Sequence, residues 1–492
     1  MSFSPADSTI FGPLFSGTGL EAVFRDDVAL QHMIAFEAAL ARVQGRFGVI
    51  PTDAAAAIDA GLASVEPGDL DLARLRERTA VDGVPVPDLV TQLRARLGPD
   101  AGAHLHWGAT SQDVMDTALV LQLRDALPHL TLDLDRTVDA LAAAARAHRD
   151  TPMLGRTHGR QALPITFGLK VAGWLAPLAR YRARLQDLAG RMLLLQFGGA
   201  AGTLSSLGVD GVRVRQALAE ELGLGLPPMP WHTQRDGLAE LAAWLAGVSG
   251  ALAKMAQDVI AMGQEEFGEV LPGPVAGGSS TLPQKQNPIQ AEMIVVAARA
   301  NAGLLATFHQ AMVQEHERGT HGWQLEWTAL GQMLAYASSA LDKGAQVATG
   351  LRADTGRMMA NLEASRGAVL AEPCTFALAR HMALPDASQL VKDALRAARA
   401  ENVGLIAAVR ARTDAPLDWD ALADVRNALG SAQAFVDAVL AEIEGGASPD
   451  GTSDSGTEPT TNPTGDPEPD PEPDSATTPR PNDPNDPKRG NA

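Results

Sequence analysis

The residues best suited to chemistry lie in a loop rich in glycine and proline, between Gly268 and Pro288. Ser279 and Lys285 stand six positions apart in this loop, and Asn287 lies near its end. A serine hydroxyl exchanges protons readily only where a cation and N–H donors stabilise its negative charge, which Lys285 and a glycine-rich backbone would supply. Two interpretations of the loop are open, a flexible linker and a lid that carries a proton-transfer residue. We favour the lid, because loops of about 20 residues between long helices are unusual.

A second polar segment, residues 106–113, ends where a long helical pattern begins. It contains a histidine, two hydroxyl groups and an amide, in His106, Thr110, Ser111 and Gln112. One interpretation is that Thr110 or Ser111 only caps the helix. The other is that these groups and the free N–H groups of the helix N-terminus form a cradle for an anion. The residues alone leave both interpretations open.

A third polar segment, residues 155–161, lies between two helical patterns. It gathers two cations, a hydroxyl and an imidazole, from Arg156, Thr157, His158 and Arg160. A single histidine is often structural, but so dense a polar cluster is equally consistent with a site. All three segments lie at helix boundaries, where loops present side chains to ligands.

Missing motifs and the composition exclude several classes of function. The chain has no glycine-rich nucleotide loop, no His-Glu-x-x-His zinc motif, no Gly-x-Ser-x-Gly nucleophile and only one cysteine, Cys374. We therefore predict a site without metal or cofactor that acts on an anionic substrate. The formal net charge of −19 disfavours nucleic acid and anionic membranes as partners. No signal peptide or membrane span is recognised, so we expect a cytoplasmic protein.

Helices must position these segments, because apolar residues recur at intervals of three or four. The patterns run over about residues 113–149, 165–196, 234–264, from 288 onward, and over 323–351. We predict an all-α fold with a central bundle of five long helices. The order Asn287, Pro288, Gln290 predicts a capped start for the fourth helix. The third helix is apolar on most sides, which favours a core shared between subunits.

The same patterns divide the chain into four regions. We predict an N-terminal helical domain (1–108), a central bundle (109–353) with the lid loop at 268–288, a C-terminal helical domain (354–446) and a disordered acidic tail (447–492). From residue 449 on there are 11 prolines and ten acidic residues but no large apolar side chain. Such a segment buries too little apolar surface to offset its ordering entropy. We favour a solubilising extension over a partner-binding segment.

Residues 278–288 resemble the signature of the fumarase/aspartase superfamily, Gly-Ser-Ser-x-Met-Pro-x-Lys-x-Asn-Pro, with Leu282 replacing the methionine. Residues 110–113 and 157–158 resemble its other two blocks, in the same order. The chain is therefore identified as a member of that superfamily, whose fold has three helical domains and a long central bundle. The resemblance also implies a homotetramer in which three different chains build each site.

Within the superfamily, the sequence is most similar to the bacterial 3-carboxy-cis,cis-muconate cycloisomerases. The similarity lies in residues 36–42, 106–117, 155–164, 314–318 and 322–327. It implies that a carboxylate of a small tricarboxylate adds to a conjugated double bond of the same molecule, giving a carboxymuconolactone. That reaction belongs to the breakdown of aromatic compounds, in the protocatechuate branch of the β-ketoadipate pathway.

Two alternatives are kept. Adenylosuccinate lyase, or another lyase of the superfamily, is the nearest, but residues 81–90 lack the histidine of the Arg-His-Asp element usual in adenylosuccinate lyase. The second alternative is not an enzyme but a non-catalytic helical scaffold. The joint presence of Ser279, Lys285, Asn287 and His158 speaks against a scaffold.

The resemblance implies a role for each candidate residue. Ser279 transfers the proton, and His158 and Lys285 are the other catalytic residues. Glu292 orients His158. The substrate-binding residues are His106, Thr110, Ser111, Thr157, Arg160 and Asn287. Arg160 stands where the superfamily often has glutamine. As an extra cation it would suit a tricarboxylate or pair with an acid outside the pocket, and both remain open.

Overall fold

The computed structural model describes residues 4–17, 19–271, 273 and 277–445. The helices in this part are α1 (Gly12–Phe15), α2 (Leu20–Val23), α3 (Asp26–Arg46), α4 (Thr52–Leu62), α5 (Leu72–Asp82), α6 (Val86–Gly102), α7 (Ser111–Ala147), α8 (Phe167–Met192), α9 (Gly211–Leu222), α10 (Asp236–Met262), α11 (Ile289–Ala311), α12 (Gly322–Thr349), α13 (Thr355–Ala364), α14 (Ala371–Leu378), α15 (Leu384–Glu401), α16 (Leu405–Arg410), α17 (Trp419–Ala423) and α18 (Ala432–Gly445). The strands are β1 (Pro152–Thr157), β2 (Arg160–Thr166), β3 (Val270–Leu271) and β4 (Arg352–Ala353). The predicted tail, 447–492, lies outside the described residues.

Five long helices, α7, α8, α10, α11 and α12, form the central bundle. Helix α11 packs against α10 and α12, and α7 packs against α8 and α12. With 37 residues at about 1.5 Å each, α7 is roughly 55 Å long. Its stripe of Leu130, Leu134, Val138 and Leu141 is fully buried, as the spacing predicts. The predicted all-α fold with a five-helix bundle is confirmed.

The predicted boundaries of four bundle helices agree with α7, α8, α10 and α12 to within four residues. The predicted cap of the other helix is wrong, because α11 begins at Ile289 and no side chain caps its first turn. The backbone of Asn287 is engaged elsewhere. It exchanges two hydrogen bonds with Gly277, at 2.9 and 2.8 Å, and these close the base of the lid tip, residues 278–286.

Residues 155–161, expected to connect two helices, instead belong to a β-hairpin of strands β1 and β2. The two residues between the strands are His158 and Gly159, whose φ angles are 50° and 70°. Left-handed backbone at both positions is the geometry of a tight two-residue hairpin turn. Ladder pairing brings Thr157 opposite Arg160. The hairpin therefore projects these four residues, which we call the hairpin tip, away from the helical core.

One apolar core joins the N-terminal helices to the bundle. Phe36 of α3 is fully buried and meets the ring of Phe197 edge to face, with centroids 6.2 Å apart. A second apolar cluster, around Cys374 and Val391, lies in α14–α16. The described residues up to 445 belong to one compact unit. The domain boundaries at residues 108 and 353 remain predictions.

Helices α10 and α11 are long and apolar enough to cross a membrane by length and composition. The core helices of a bundle have the same properties, so this finding is weak evidence for a membrane. In their most apolar windows, 56% of α10 but only 33% of α11 is buried within the chain. Helix α11 therefore keeps an apolar face that its own chain does not cover.

A buried ionic network joins the starts of α7, α10 and α12. The guanidinium of Arg235 is fully buried and bonds Asp116 at 2.7 and 3.0 Å and Glu326 at 2.7 and 2.6 Å. Asp116 also accepts hydrogen bonds from Trp323 Nε1 and the Gln112 amide, at 3.0 and 3.1 Å. The two carboxylates thus accept six N–H hydrogen bonds from five nitrogen atoms where water is absent.

We predict that Glu326→Gln lowers the free energy of unfolding by about 1.5–3 kcal/mol, because it leaves a buried N–H group of Arg235 without a carboxylate acceptor while Asp116 still neutralises the guanidinium. Urea unfolding would measure this loss. Asp82→Asn is the matched control, since Asp82 pairs with Arg78 at the surface of α5. An exposed pair of this kind contributes about 0.2–1 kcal/mol. Equal losses in the two variants would contradict a special role for the network.

Candidate functional site

Ser279 lies in the lid tip, within a local turn. Its Oγ accepts hydrogen bonds from the N–H groups of Thr281 and Leu282, at 3.3 and 3.1 Å. N–H donors stabilise negative charge on the oxygen that accepts them. These two donors would stabilise negative charge on Ser279 Oγ, which is what a proton-transfer role requires.

Three further residues of the predicted site share a cavity at the base of the lid. Lys285, Asn287 and Glu292 line a space of about 440 Å³, which is also bordered by the ends of α10 and α12. Cavities of this size accept small metabolites. In the described part of the chain, Lys285 has no carboxylate partner, so its charge is available to an anion.

The hairpin tip carries three of the predicted residues. Thr157, His158 and Arg160 are all exposed there. Just before the tip, Arg156 donates two hydrogen bonds of 2.7 Å to the buried carboxylate of Glu269, at the start of the lid loop. The hairpin and the lid loop are thus joined at their bases, while their tips carry the candidate groups.

The N-terminus of α7 is held by a capping box and by a buried carboxylate. Thr110 caps the helix in a capping box with Asp113, as the structural interpretation predicts. The fully buried carboxylate of Asp113 also accepts the N–H groups of Gly198 and Gly199, each at 2.9 Å, and contacts Nε2 of His232 at 2.8 Å. Ser111, half-buried, is the first residue of the helix. The helix end is therefore rigidly held beside a polar surface.

This surface includes two residues that their spacing in the sequence does not reveal. Arg318, from the loop before α12, donates a hydrogen bond to Thr110 Oγ1 and has no carboxylate partner among the described residues. Glu37 of α3 contacts Nδ1 of His106 through Oε1, at 2.6 Å. The sequence held one signal for both, because the runs 314–318 and 36–42 belong to the family resemblance.

His106 is held in a charged pocket. Burial lowers the pKa of its imidazole, but the charge and hydrogen bond of Glu37, assisted by Asp113, outweigh burial and raise the pKa above its usual value. Arg94 opposes this weakly. His106 therefore holds a proton more tightly than an exposed histidine, which suits it to bind an anion.

The structure thus arranges the predicted residues, together with Arg318, in three groups. The first is the lid with Ser279, Lys285, Asn287 and Glu292. The second is the hairpin tip with Thr157, His158 and Arg160, and the third is the α7 entrance, which we define as His106, Thr110, Ser111 and Arg318. Among the described residues of one chain, no hydrogen bond or ion pair joins these site residues of different groups, and Glu292 does not contact His158 in this way.

Comparison with known proteins places the chain among lyases. Residues 19–303 match the protein family described as Lyase. The 3-carboxy-cis,cis-muconate cycloisomerase of Pseudomonas aeruginosa is 42% identical over 449 residues, which cover 90% of this chain and 98% of that protein. The crystal structure of 3-carboxy-cis,cis-muconate lactonizing enzyme from Pseudomonas putida has 40% identity and a TM-score of 0.83, covering 89% of this chain and 99% of that one. The fumarate lyase structure from Mesorhizobium sp. BNC1 has 42% identity and a TM-score of 0.81, covering 87% and 98%.

The raised pKa of His106 predicts a pH-dependent stability. The folded protein binds this proton more tightly than the unfolded chain, whose histidine pKa is about 6.5. The stabilisation is complete below that value and is lost as the pH rises through the folded pKa. Urea unfolding at pH 6 and pH 9 should show a larger loss in the wild type than in His106→Gln.

His148→Gln is the control of opposite sign, because burial lowers the pKa of His148. Its removal should enlarge the loss of stability between pH 6 and pH 9 rather than reduce it. Identical pH dependence in the wild type and in His106→Gln would show that His106 does not bind its proton more tightly on folding.

Proposed function

Since the chain belongs to the lyase superfamily of fumarase and aspartase and is one of its enzymes, we propose that it cyclises 3-carboxy-cis,cis-muconate to a carboxymuconolactone. One observation carries the proposal: the chain is 42% identical to the Pseudomonas aeruginosa cycloisomerase over 98% of that protein, and its lid contains Ser279, Lys285 and Asn287.

The proposed reaction is an addition within one molecule. An ionised carboxylate oxygen of the substrate attacks a carbon of the conjugated double bond, and a C–O bond forms. The electron pair of that double bond moves onto the neighbouring carboxylate, giving an aci-carboxylate with two negative charges. Ser279 then delivers its proton to the carbon between the new C–O bond and the aci-carboxylate. The serine recovers a proton from solvent, so one proton is taken up for each lactone formed.

Cations and N–H donors must stabilise the added charge. In the proposed site, Lys285 and Asn287 bind the carboxylate that becomes the aci-carboxylate, an electrostatic contribution that can amount to several kcal/mol. Arg160, Arg318 and His106 face the other carboxylates. Thr110, Ser111 and Thr157 donate hydroxyl hydrogen bonds.

His158 has a binding role in this mechanism. The attacking carboxylate is already ionised, so no base is needed to activate it. We assign His158, oriented by Glu292, to hold the substrate next to the lid. An exposed imidazole on a tight hairpin turn can reach beyond the surface of its own chain, which suits contact with a substrate bound elsewhere.

The three groups of residues support a site assembled from several chains. Among the described residues of one chain, no hydrogen bond or ion pair joins the lid, the hairpin tip and the α7 entrance. Val296 of α11 is an exposed apolar side chain, and so are Met312 and Val313 just after the helix ends. Burying the apolar face of α11 against other copies of the chain would both stabilise the bundle and bring different groups together. We therefore propose a homotetramer with shared sites.

The purified protein is expected to remove the diene absorbance of 3-carboxy-cis,cis-muconate and to leave adenylosuccinate unchanged. The three carboxylates of this substrate match the cations of the proposed site. Release of fumarate from adenylosuccinate, without loss of the diene, would replace this function by that of the related lyase.

Replacing Ser279 by alanine should lower kcat by about 10²–10⁴-fold, the usual contribution of a general acid, and leave the far-UV spectrum and the oligomeric state unchanged. Ser280→Ala is the matched control, because Ser280 lies next in the same loop and is exposed. It should keep most of the activity. Near-normal turnover by Ser279→Ala would refute the assignment of the proton donor.

A further inference from the structure

We propose that Glu37 is a positioning residue of the active site, which fixes the ring of His106 so that Nε2 faces a carboxylate of the substrate. The inference rests on the proposed function and assigns a task to a residue of the N-terminal helices. Glu37 itself touches no substrate in this account, because its contact runs through the imidazole.

The geometry of the pair is that of an oriented imidazole. Glu37 Oε1 lies 2.6 Å from His106 Nδ1, within the range of a charge-assisted hydrogen bond. The carboxylate side chain is wholly inaccessible, while 17% of the His106 side chain is exposed. With Nδ1 engaged, Nε2 is the nitrogen left for a ligand, and no described residue bonds it.

The position of Glu37 costs stability, which points to a function. Its neighbours on α3, Phe36 and Leu40 among them, form part of the apolar core. Its second oxygen, Oε2, is buried and has no hydrogen-bond partner among the described residues. A buried carboxylate with one satisfied oxygen is unfavourable, so packing alone would favour an apolar side chain here.

His106 is also held in an unfavourable conformation. Its φ angle is 61°, in the left-handed region that costs a non-glycine residue about 1 kcal/mol or more. In this conformation the ring contacts Glu37 of α3. Two local costs therefore coincide at a single contact, four residues before the cap of α7, as is common where a side chain is held for binding.

The surrounding charges favour the cationic form of the ring. From α3 comes Glu37, from α7 comes Asp113, and both favour the protonated ring, whereas Arg94 of α6 opposes it. Of these, only Glu37 is in direct contact with the imidazole. A protonated Nε2–H is a stronger donor to a carboxylate than a neutral imidazole.

Steady-state kinetics between pH 5.5 and 9.5 test the proposal with Glu37→Gln and Glu37→Asp. The amide keeps the size of the side chain but removes its charge. We expect Glu37→Gln to raise KM for 3-carboxymuconate at least tenfold near pH 8 with a smaller change in kcat. The pH at which KM begins to rise should move downward. Glu37→Asp, which keeps the charge, should retain part of the wild-type KM and pH dependence.

Asp88→Asn is the matched control, because Asp88 is another buried carboxylate of the N-terminal helices, paired with Arg74 away from the site. It should leave KM and its pH profile unchanged. A pH profile of Glu37→Gln identical to the wild type, or one shifted equally in Asp88→Asn, would overturn the proposal. Absence of turnover in the wild type would instead refute the proposed function.

Discussion

Buried charge has to be neutralised by buried partners, and this constraint fixes where the central helices begin. Arg235, before α10, is shared between Asp116 of α7 and Glu326 of α12. One turn away, Asp113 binds the backbone of Gly198 and Gly199. None of these groups can move without leaving a charge or an N–H group unpaired in the core. The Thr110 and Ser111 hydroxyls of the α7 entrance are held equally rigidly, because they lie at the same end of α7.

The shape of the bundle has a consequence for the chemistry. Helices of 23–37 residues carry the chain over long distances between one boundary segment and the next. In the described part of one chain, no hydrogen bond or ion pair joins the candidate residues of the lid tip, the hairpin tip and the α7 entrance, and the proposed reaction needs all three. In the proposed assembly, the apolar face of α11 supplies the association energy and the polar segments supply the site. Stability and catalysis then depend on the same contacts between chains.

The sequence was informative where a periodic pattern or a motif decided the structure. Apolar spacing located α7, α8, α10 and α12, and the lid motif located Ser279 and Lys285. The hairpin was missed because its turn uses His158 in a left-handed conformation, a residue type that gives little turn signal. The contact of Glu37 with His106 spans 69 positions, and that of Arg318 with Thr110 spans 208. Such pairs depend on tertiary packing, which no local pattern contains. The cap at Asn287 failed for a related reason, since pairing with Gly277 competes for its backbone.

The central claim is that one active site uses residues of different chains, and hybrid oligomers test it most directly. Ser279→Ala and His158→Ala variants, each inactive alone, would be unfolded together, refolded and assayed as a mixture. Random assembly should restore about a quarter of the sites, because such sites draw the intact serine from one variant and the intact histidine from the other. If the mixture stays as inactive as its parents, although size-exclusion chromatography shows that hybrids have formed, each site is contained in a single chain and the account is wrong.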